Sequence, residues 1–286
     1  MSGTYWLASY PKSGNTWFRI FLTNLIRDAE EPVHINQLDA TPIFSARVLF
    51  DEFTGVDSAN LTHEETARLQ PRVYEFLARD DAAPRYRKIH DAYTLLEDGS
   101  PLIPTEATLG ALYFIRNPLD VAVSFAHHGA IPIDRSIARM ANASFTFCDE
   151  TDRLLQQLPQ RLLTWSEHVK SWVDQCAVPV HVMRYEDMKR APLKTFSAAA
   201  RFAHLPDDAG RIQKALENSD IKELQRQEAE TVFRERAPKA ESFFRKGEAG
   251  SWRESLSEAQ VERILADHGE IMQRFGYLDA SGNIVE

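Results

Sequence analysis

The segment from Tyr5 to Tyr10 is short and apolar-rich, stops at Pro11, passes a turn holding Gly14, and leads into an apolar-periodic run from Trp17 to Ile26. That is a strand, a loop and a helix. A second unit repeats the pattern: Ala111 to Arg116 reads as a buried strand, and Pro118 stands where a helix starts, ahead of Val121, Val123 and Phe125. A third strand is predicted over Val180 to Tyr185, with helical stretches at Glu64 to Arg79 and Gln160 to Cys176. Strands that alternate with helices call for a parallel sheet with crossover connections. The predicted fold is therefore a three-layer α/β sandwich around a central parallel sheet, with a P-loop-like nucleotide-binding core.

From Pro192 onward the pattern is helical, near Leu193 to His204, Asp208 to Asn218 and Glu258 to Phe275. Between these, Gln225 to Ser251 mixes charges of both signs with Pro238, Gly247 and Gly250 and keeps no period. An irregular segment of that length is often a lid or binding element, so a mobile loop is predicted at 225–251. No low-complexity linker interrupts the chain, and residues 1–286 read as one domain.

Thirty-three Lys and Arg against 42 Asp and Glu leave a formal charge of −9, which argues against nucleic acid as a partner and requires any anion site to be local. The N-terminus has no basic segment followed by a long apolar one, and no window offers about 18 uninterrupted apolar residues. No membrane partner and a cytoplasmic location are expected. Cys148 and Cys176 are too few for a disulfide framework or a thiolate zinc site and read as buried thiols. His127 and His128 are adjacent, and no His-x-x-x-His pair carries a nearby Glu, so no metal is expected.

Tyr10-Pro11-Lys12-Ser13-Gly14-Asn15-Thr16-Trp17 lies between the first strand and the first helix, where free backbone N–H groups and the helix dipole attract phosphate. Gly14 permits close backbone approach, Ser13, Asn15 and Thr16 add neutral donors, and Lys12 supplies a mobile positive charge. With one Gly, preceded by the Lys, the segment lacks the Gly-x-x-x-x-Gly-Lys-Ser/Thr spacing of ordinary nucleotide triphosphatases. From composition alone it could also be a ligand-free strand-to-helix turn.

The segment resembles the 5′-phosphosulfate loop of the sulfotransferases that use 3′-phosphoadenosine 5′-phosphosulfate (PAPS). Two more matches follow in the family's order. Arg116-Asn117-Pro118-Leu119-Asp120-Val121-Ala122-Val123-Ser124 resembles its 3′-phosphate segment. Phe244-Arg245-Lys246-Gly247-Glu248-Ala249-Gly250-Ser251-Trp252 resembles its Arg-Lys-Gly-x-x-Gly-x-Trp element. The resemblance spans Tyr5 to about Phe275 and is nearer to cytosolic-type and bacterial natural-product sulfotransferases, including glycopeptide sulfotransferases, than to membrane-anchored forms.

The resemblance implies a 3′-phosphate bound by Arg116 and Ser124, with Arg245, Lys246 and Gly247 closing on it. Read without it, Arg116 could pair with Asp120, and Arg245 and Lys246 could be solvated. It implies adenine against Trp17, which by itself could be core, and adenosine contacts from Tyr185 and Ser219. Relatives commonly carry an aromatic where Ile221 stands, which leaves an aliphatic contact. Arg87-Lys88-Ile89-His90-Asp91 resembles the family's Lys-x-His catalytic element and makes His90 the candidate general base, an imidazole suited to accept a hydroxyl proton near neutrality.

The implied reaction moves a sulfuryl group from PAPS to a hydroxyl of a small organic or natural-product acceptor, peptide scaffolds included, and releases adenosine 3′,5′-bisphosphate. Lys12 would stabilise charge on the leaving phosphate. Two alternatives are a nucleotide-dependent kinase, for which Asp120 and Asp187 could hold magnesium, and a non-catalytic adenosine-bisphosphate-binding module. Acceptor choice is expected in the loops Thr41 to Thr62, Gly129 to Thr151 and Glu228 to Ala240. Their Phe44, Phe50, Phe53, Phe145, Phe147 and Phe233 either favour an apolar acceptor or simply pack. Arg253 to Glu258 aligns loosely with the Lys-x-x-x-Thr-Val dimerisation element of some relatives, with Glu258 in place of Val. Monomer and homodimer both remain open.

Overall fold

The computed structural model describes residues 3–40, 43–80 and 83–285. In chain order the elements are β1 (Thr4–Ser9), α1 (Asn15–Arg27), α2 (Arg47–Thr54), α3 (His63–Asp80), β2 (Arg85–Ile89), β3 (Thr108–Ile115), α4 (Pro118–Gly129), α5 (Ile133–Met140), β4 (Thr146–Phe147), β5 (Gln160–Arg161), α6 (Trp165–Lys170), β6 (Val180–Arg184), α7 (Tyr185–Arg190), α8 (Pro192–Phe202), α9 (Ala209–Glu217), α10 (Ile221–Glu230) and α11 (Glu258–Arg274). A four-stranded sheet runs in the order β2-β1-β3-β6. β1 and β2 are parallel, in the register Thr4↔Arg85 to Ala8↔Ile89. The central parallel sheet flanked by helices is the α/β fold predicted above.

The chain divides into two compact units, Met1–Tyr10 with Ala40–Tyr113 and Asn142–Val182, and Pro11–Asp39 with Phe114–Ala141 and Met183–Glu286. The first unit holds β1, β2 and most of β3 and β6. Its core includes the rings of Trp6, Phe44 and Tyr74, with centroids 4.5 to 5.3 Å apart. The indole N–H of Trp6 is not left unsatisfied there, because it donates to Thr108 Oγ1 at 2.9 Å. The second unit packs Phe18 and Phe21 of α1 against Phe196 of α8 and Phe114 at the end of β3. This seats the start of α1 on a rigid base directly after the phosphate-type loop.

Three expectations about helices and loops are corrected. The helix predicted from Gln160 begins only at Trp165. Gln160–Arg161 pairs with β4 as a short antiparallel strand, Leu163 sits at φ 59° outside the right-handed region, and Thr164 with Glu167 forms a reciprocal capping box that fixes the helix start. The irregular segment predicted from Gln225 begins after Glu230. α10 runs through that stretch, supported by Arg226 pairing with both Glu223 and Glu230. The stretches read as acceptor loops are partly helical, since α2 lies within 41–62 and α5 within 129–151. Of the first of these, Thr41 and Pro42 lie outside the described residues.

Phe44, Phe50 and Phe233 are core side chains, each at most 3% exposed, while Phe53, Phe145 and Phe147 are half-buried. The two cysteines are free and half-buried rather than buried; burial nevertheless pushes the Cys148 thiol up to about 11. Among the described residues no helix is long and apolar enough to cross a membrane, and no three His, Cys, Asp or Glu side chains group to hold a metal ion.

Candidate active site

In the second unit, the loop before α1 has unusual backbone geometry. Lys12 lies at φ 73°, in the left-handed region that costs a residue with a Cβ about 1–2 kcal/mol. Gly14 follows at φ 101° and serves as the N-cap of α1 without a side chain to accept from the first-turn N–H groups. No acidic residue occupies that first turn. The positive end of α1 therefore presents backbone donors with no carboxylate in its own first turn to neutralise them. A Cβ at Gly14 would stand 2.8 Å from Cδ2 of Tyr185, so the position favours glycine on two counts, the close contact and the positive φ. Ser13 Oγ is buried without a hydrogen-bond partner, as is Nε of Arg116, and a phosphate oxygen could satisfy such donors.

Arg116 follows β3 and is 9% exposed. Its Nη1 donates to the Lys12 carbonyl at 3.3 Å and its Nη2 to the Glu248 carbonyl at 2.9 Å. Its guanidinium lies over the Tyr185 ring at 4.3 Å. One side chain thus ties the first loop to the Arg245–Gly250 segment. The pairing with Asp120 is present but long, at 4.0 Å. Asp120 is instead occupied by backbone: its carboxylate accepts from Gly250 N–H at 2.7 Å, Trp252 N–H at 3.1 Å and Ser251 Oγ at 3.3 Å.

The remaining predicted residues of this unit fall around that frame. Trp17, half-buried, meets Tyr185 and Phe196 edge-on at 6.1 and 5.2 Å. Ser124 is half-buried on α4, while Asn15 and Thr16 open α1. Ile221 packs under Gly247, where a Cβ would meet its Cγ1 at 2.8 Å. Gly247 itself needs φ 64°. Ser219 is fully buried and its hydroxyl donates to the carbonyls of Ala215 and Leu216 at the end of α9, so it is engaged in capping. Lys246 is exposed and paired with Glu254, whose carboxyl is held below its usual range by that ammonium.

Arg245 is half-buried, with Nη1 3.1 Å from Nε2 of His127. Desolvation and then the neighbouring Arg116 lower its pKa. Two guanidiniums that repel one another in a partly desolvated place are stabilised by an anion between them. Sequence reading missed two supports of this frame. Phe243 places its ring under Lys12, with Nζ 4.0 Å from the centroid. The buried carboxylate of Glu228 accepts from Phe243 and Phe244 N–H at 2.8 to 3.1 Å and so holds the backbone just before Arg245. An acidic residue on a helix gives no sequence signal for such a distant contact.

His90 lies in the first unit, one residue past edge strand β2, and is 9% exposed. Its Nδ1 is 2.8 Å from the Ser9 carbonyl and 3.3 Å from Ser9 Oγ. A carbonyl accepts only, so in the neutral ring Nδ1 carries the proton and Nε2 the lone pair. That tautomer is the one a general base requires.

A parallel α/β sheet, a glycine-capped phosphate-type loop and neighbouring guanidiniums define an α/β protein with a local polyanion site and without the triphosphatase signature. Comparison with known proteins narrows this. The sulfotransferase domain family matches residues 3–276. Sulfotransferase 1A1 of Canis lupus familiaris is 27% identical over 281 residues, covering 94% of this chain and 83% of that protein. In fold, the chain is similar to a retinol dehydratase crystallised with androsterone and the inactive cofactor PAP (TM-score 0.62, 18% identity, 94% of this chain and 80% of that one). It is also similar to mouse sulfotransferase SULT7A1 complexed with PAP (TM-score 0.58, 19% identity, 96% and 88%). The chain belongs to the sulfotransferase family and is a PAPS-dependent enzyme of sulfuryl transfer. The kinase and binding-module readings are not favoured.

Proposed function

We propose that the second unit's loops hold PAPS and that His90 accepts the acceptor's proton. PAPS supplies an activated sulfuryl group whose transfer leaves adenosine 3′,5′-bisphosphate. Lys12, Ser13, Gly14, Asn15 and Thr16 would hold the 5′-phosphosulfate with the first N–H groups of α1. Lys12 would also neutralise charge that develops on the leaving phosphate oxygen. Arg116 and Arg245, with Ser124, Lys246 and Gly247, would bind the 3′-phosphate, and Trp17, Tyr185 and Ile221 would face the adenosine. Ser219 would contribute through its backbone, since its hydroxyl is engaged. His90, with its lone pair on Nε2, would take the hydroxyl proton as the oxygen–sulfur bond forms.

The observation that carries this reading is the guanidinium of Arg116 joined to the carbonyls of both Lys12 and Glu248. It brings the loop matching the 5′-phosphosulfate motif and the Arg-Lys-Gly segment to one cation. The family match over residues 3–276 supports one catalytic domain over 1–286. The acceptor is a hydroxyl of a small organic or natural-product molecule, a peptide scaffold included, handled in the cytoplasm by a monomer or homodimer. Relatives named for small organic substrates, such as a flavonol 3-sulfotransferase of Flaveria bidentis, support the small-molecule class.

Calorimetric titration with adenosine 3′,5′-bisphosphate, against adenosine 5′-phosphate and ATP with magnesium, tests the donor site. The bisphosphate should bind tightest, and Arg116→Ala should weaken it by roughly thirtyfold or more, the scale of a lost charge-assisted pair. Metal-dependent ATP binding with no preference for a 3′-phosphate would sink the proposal.

A further inference from the structure

His168, on α6 in the first unit, is fully buried, and both of its ring nitrogens are engaged. Nε2 lies 3.0 Å from the carbonyl oxygen of His90, and Nδ1 lies 2.8 Å from the hydroxyl of Tyr113. The His90 carbonyl can only accept, so Nε2 donates, and the Tyr113 hydroxyl donates to the lone pair on Nδ1. The two partners hold one neutral tautomer. Burial drives the ring's pKa down to about 4, which keeps a second proton off it at neutral pH.

The neighbouring backbone is tied in the same direction. The indole N–H of Trp172 donates to the Asp91 carbonyl at 2.9 Å, Ala92 N–H donates to the Arg161 carbonyl at 2.8 Å, and Tyr93 N–H donates to Ser171 Oγ at 3.1 Å. The peptide that carries His90 is therefore fixed by residues 161–172, while Ser9 fixes the ring.

We infer that His168 is a positioning residue for His90: it orients the backbone from which the base projects and does not itself meet substrate. An imidazole buried beside Tyr10 and Tyr113 costs desolvation at both nitrogens, a cost offset here by its bonds to the Tyr113 hydroxyl and the His90 carbonyl. What that polarity adds is direction at the His90 carbonyl. Displacement of a catalytic group by about 1 Å can lower turnover by roughly a hundredfold. The inference rests on the reading of His90 as base.

The test follows His90 itself by ¹⁵N NMR of the imidazole rings in His168→Phe, His168→Gln and Tyr113→Phe. The native protein should show His90 as a single Nδ1–H tautomer. His168→Phe should release the His90 peptide, draw Nδ1 away from the Ser9 carbonyl and so average the ring between tautomers, and His168→Gln, which keeps an N–H donor, should restore it. Affinity for adenosine 3′,5′-bisphosphate should stay within threefold throughout. If His168→Phe fails to fold, Tyr113→Phe, which removes the hydroxyl that holds the far side of the His168 ring and lets that ring turn away from the His90 carbonyl, gives the same reading.

Turnover with 2-naphthol as a phenolic probe should fall tenfold or more in His168→Phe, with KM for PAPS unchanged, and recover in His168→Gln. The ring signals decide the inference whether or not that phenol is a good acceptor. Unchanged His90 signals in folded His168→Phe and Tyr113→Phe would overturn it. Turnover that survives in His90→Gln would instead remove the base reading and leave the ring-signal result standing.

Discussion

The carboxylate of Asp120 accepts the backbone N–H of Gly250 at 2.7 Å, across 130 residues of sequence, and the same carboxylate takes Trp252 N–H at 3.1 Å. Asp120 is 1% exposed, so these bonds are made away from water. Charge-assisted bonds to buried amides are about twice as strong as neutral ones, and their donors are costly to leave alone. Asp120→Ala should lower stability by about 2–4 kcal/mol in denaturant unfolding. It should also weaken adenosine 3′,5′-bisphosphate at least tenfold, because the Arg245–Gly250 segment loses its anchor. Bisphosphate affinity within twofold of native in a folded variant would show that the segment does not depend on this anchor.

Gly14→Ala should damage binding more than stability. At φ 101° the new residue is strained by about 1–3 kcal/mol, and its Cβ pushes on Cδ2 of Tyr185, the ring beneath Arg116. Displacing that ring moves the guanidinium that joins the two loops. The expected result is a loss of at least tenfold in bisphosphate affinity by calorimetry, with a melting temperature lowered by only a few degrees. A variant that binds as tightly as the native protein would show that Tyr185 does not position Arg116.

The helix starts that frame the proposed nucleotide site were readable in advance because each is marked locally. Asn117 caps α4, accepting from Leu119 N–H at 3.0 Å, with Pro118 at the first helical position. Gly14 likewise marks its own turn. Strand β2, which leads to His90, went unread because Arg85, Arg87 and Lys88 break any apolar pattern on an edge strand. Phe44, Phe50 and Phe233 could not be sorted into core or lining, since apolar side chains in unassigned segments look alike until the packing is known. Asp120 reads locally as a first-turn acid, and Glu228 and His168 carry no local signature. Their roles lie wholly in partners distant in sequence.

Asp91 offers a pH test in the first unit. Its carboxyl is fully buried, one oxygen accepts from Arg161 N–H, the other has no hydrogen-bond partner, and desolvation raises its pKa to about 7. The folded state then holds a proton that the unfolded chain releases above its ordinary value near 3.8. This group's contribution is therefore lost progressively as pH rises from about 4 to about 7, by up to about 4 kcal/mol. His168 and His268, both lowered to about 4 by burial, act in the opposite sense over about pH 4 to 6.5. They are common to the native protein and Asp91→Asn, so the difference between the two isolates the carboxyl. Urea unfolding across this range should show Asp91→Asn gaining on the native protein until about pH 7 and holding level above it. A difference that does not change with pH would show that Asp91 ionises normally in the fold.

Arg19 and Glu235 give the last prediction. Arg19, on α1, has a fully buried side chain, and its guanidinium meets the Glu235 carboxylate through two bonds, at 2.7 and 3.0 Å. Glu235 belongs to the irregular stretch after α10, which ends at the Arg-Lys-Gly segment, and is itself a quarter exposed. The exchange is unequal: loss of Glu235 removes one partly exposed acid but withdraws a bidentate carboxylate from a cation that water does not reach. Glu235→Ala should therefore destabilise by about 3 kcal/mol, more than a surface ion pair would. Because the same pair fastens this stretch to α1, limited proteolysis of the variant should begin within residues 231–250 at protease levels the native chain withstands. Glu235→Gln, which retains one acceptor oxygen, should fall between the two. A Glu235→Ala protein as stable and as protease-resistant as the native one would mean that the pair neither stabilises the fold nor restrains the segment.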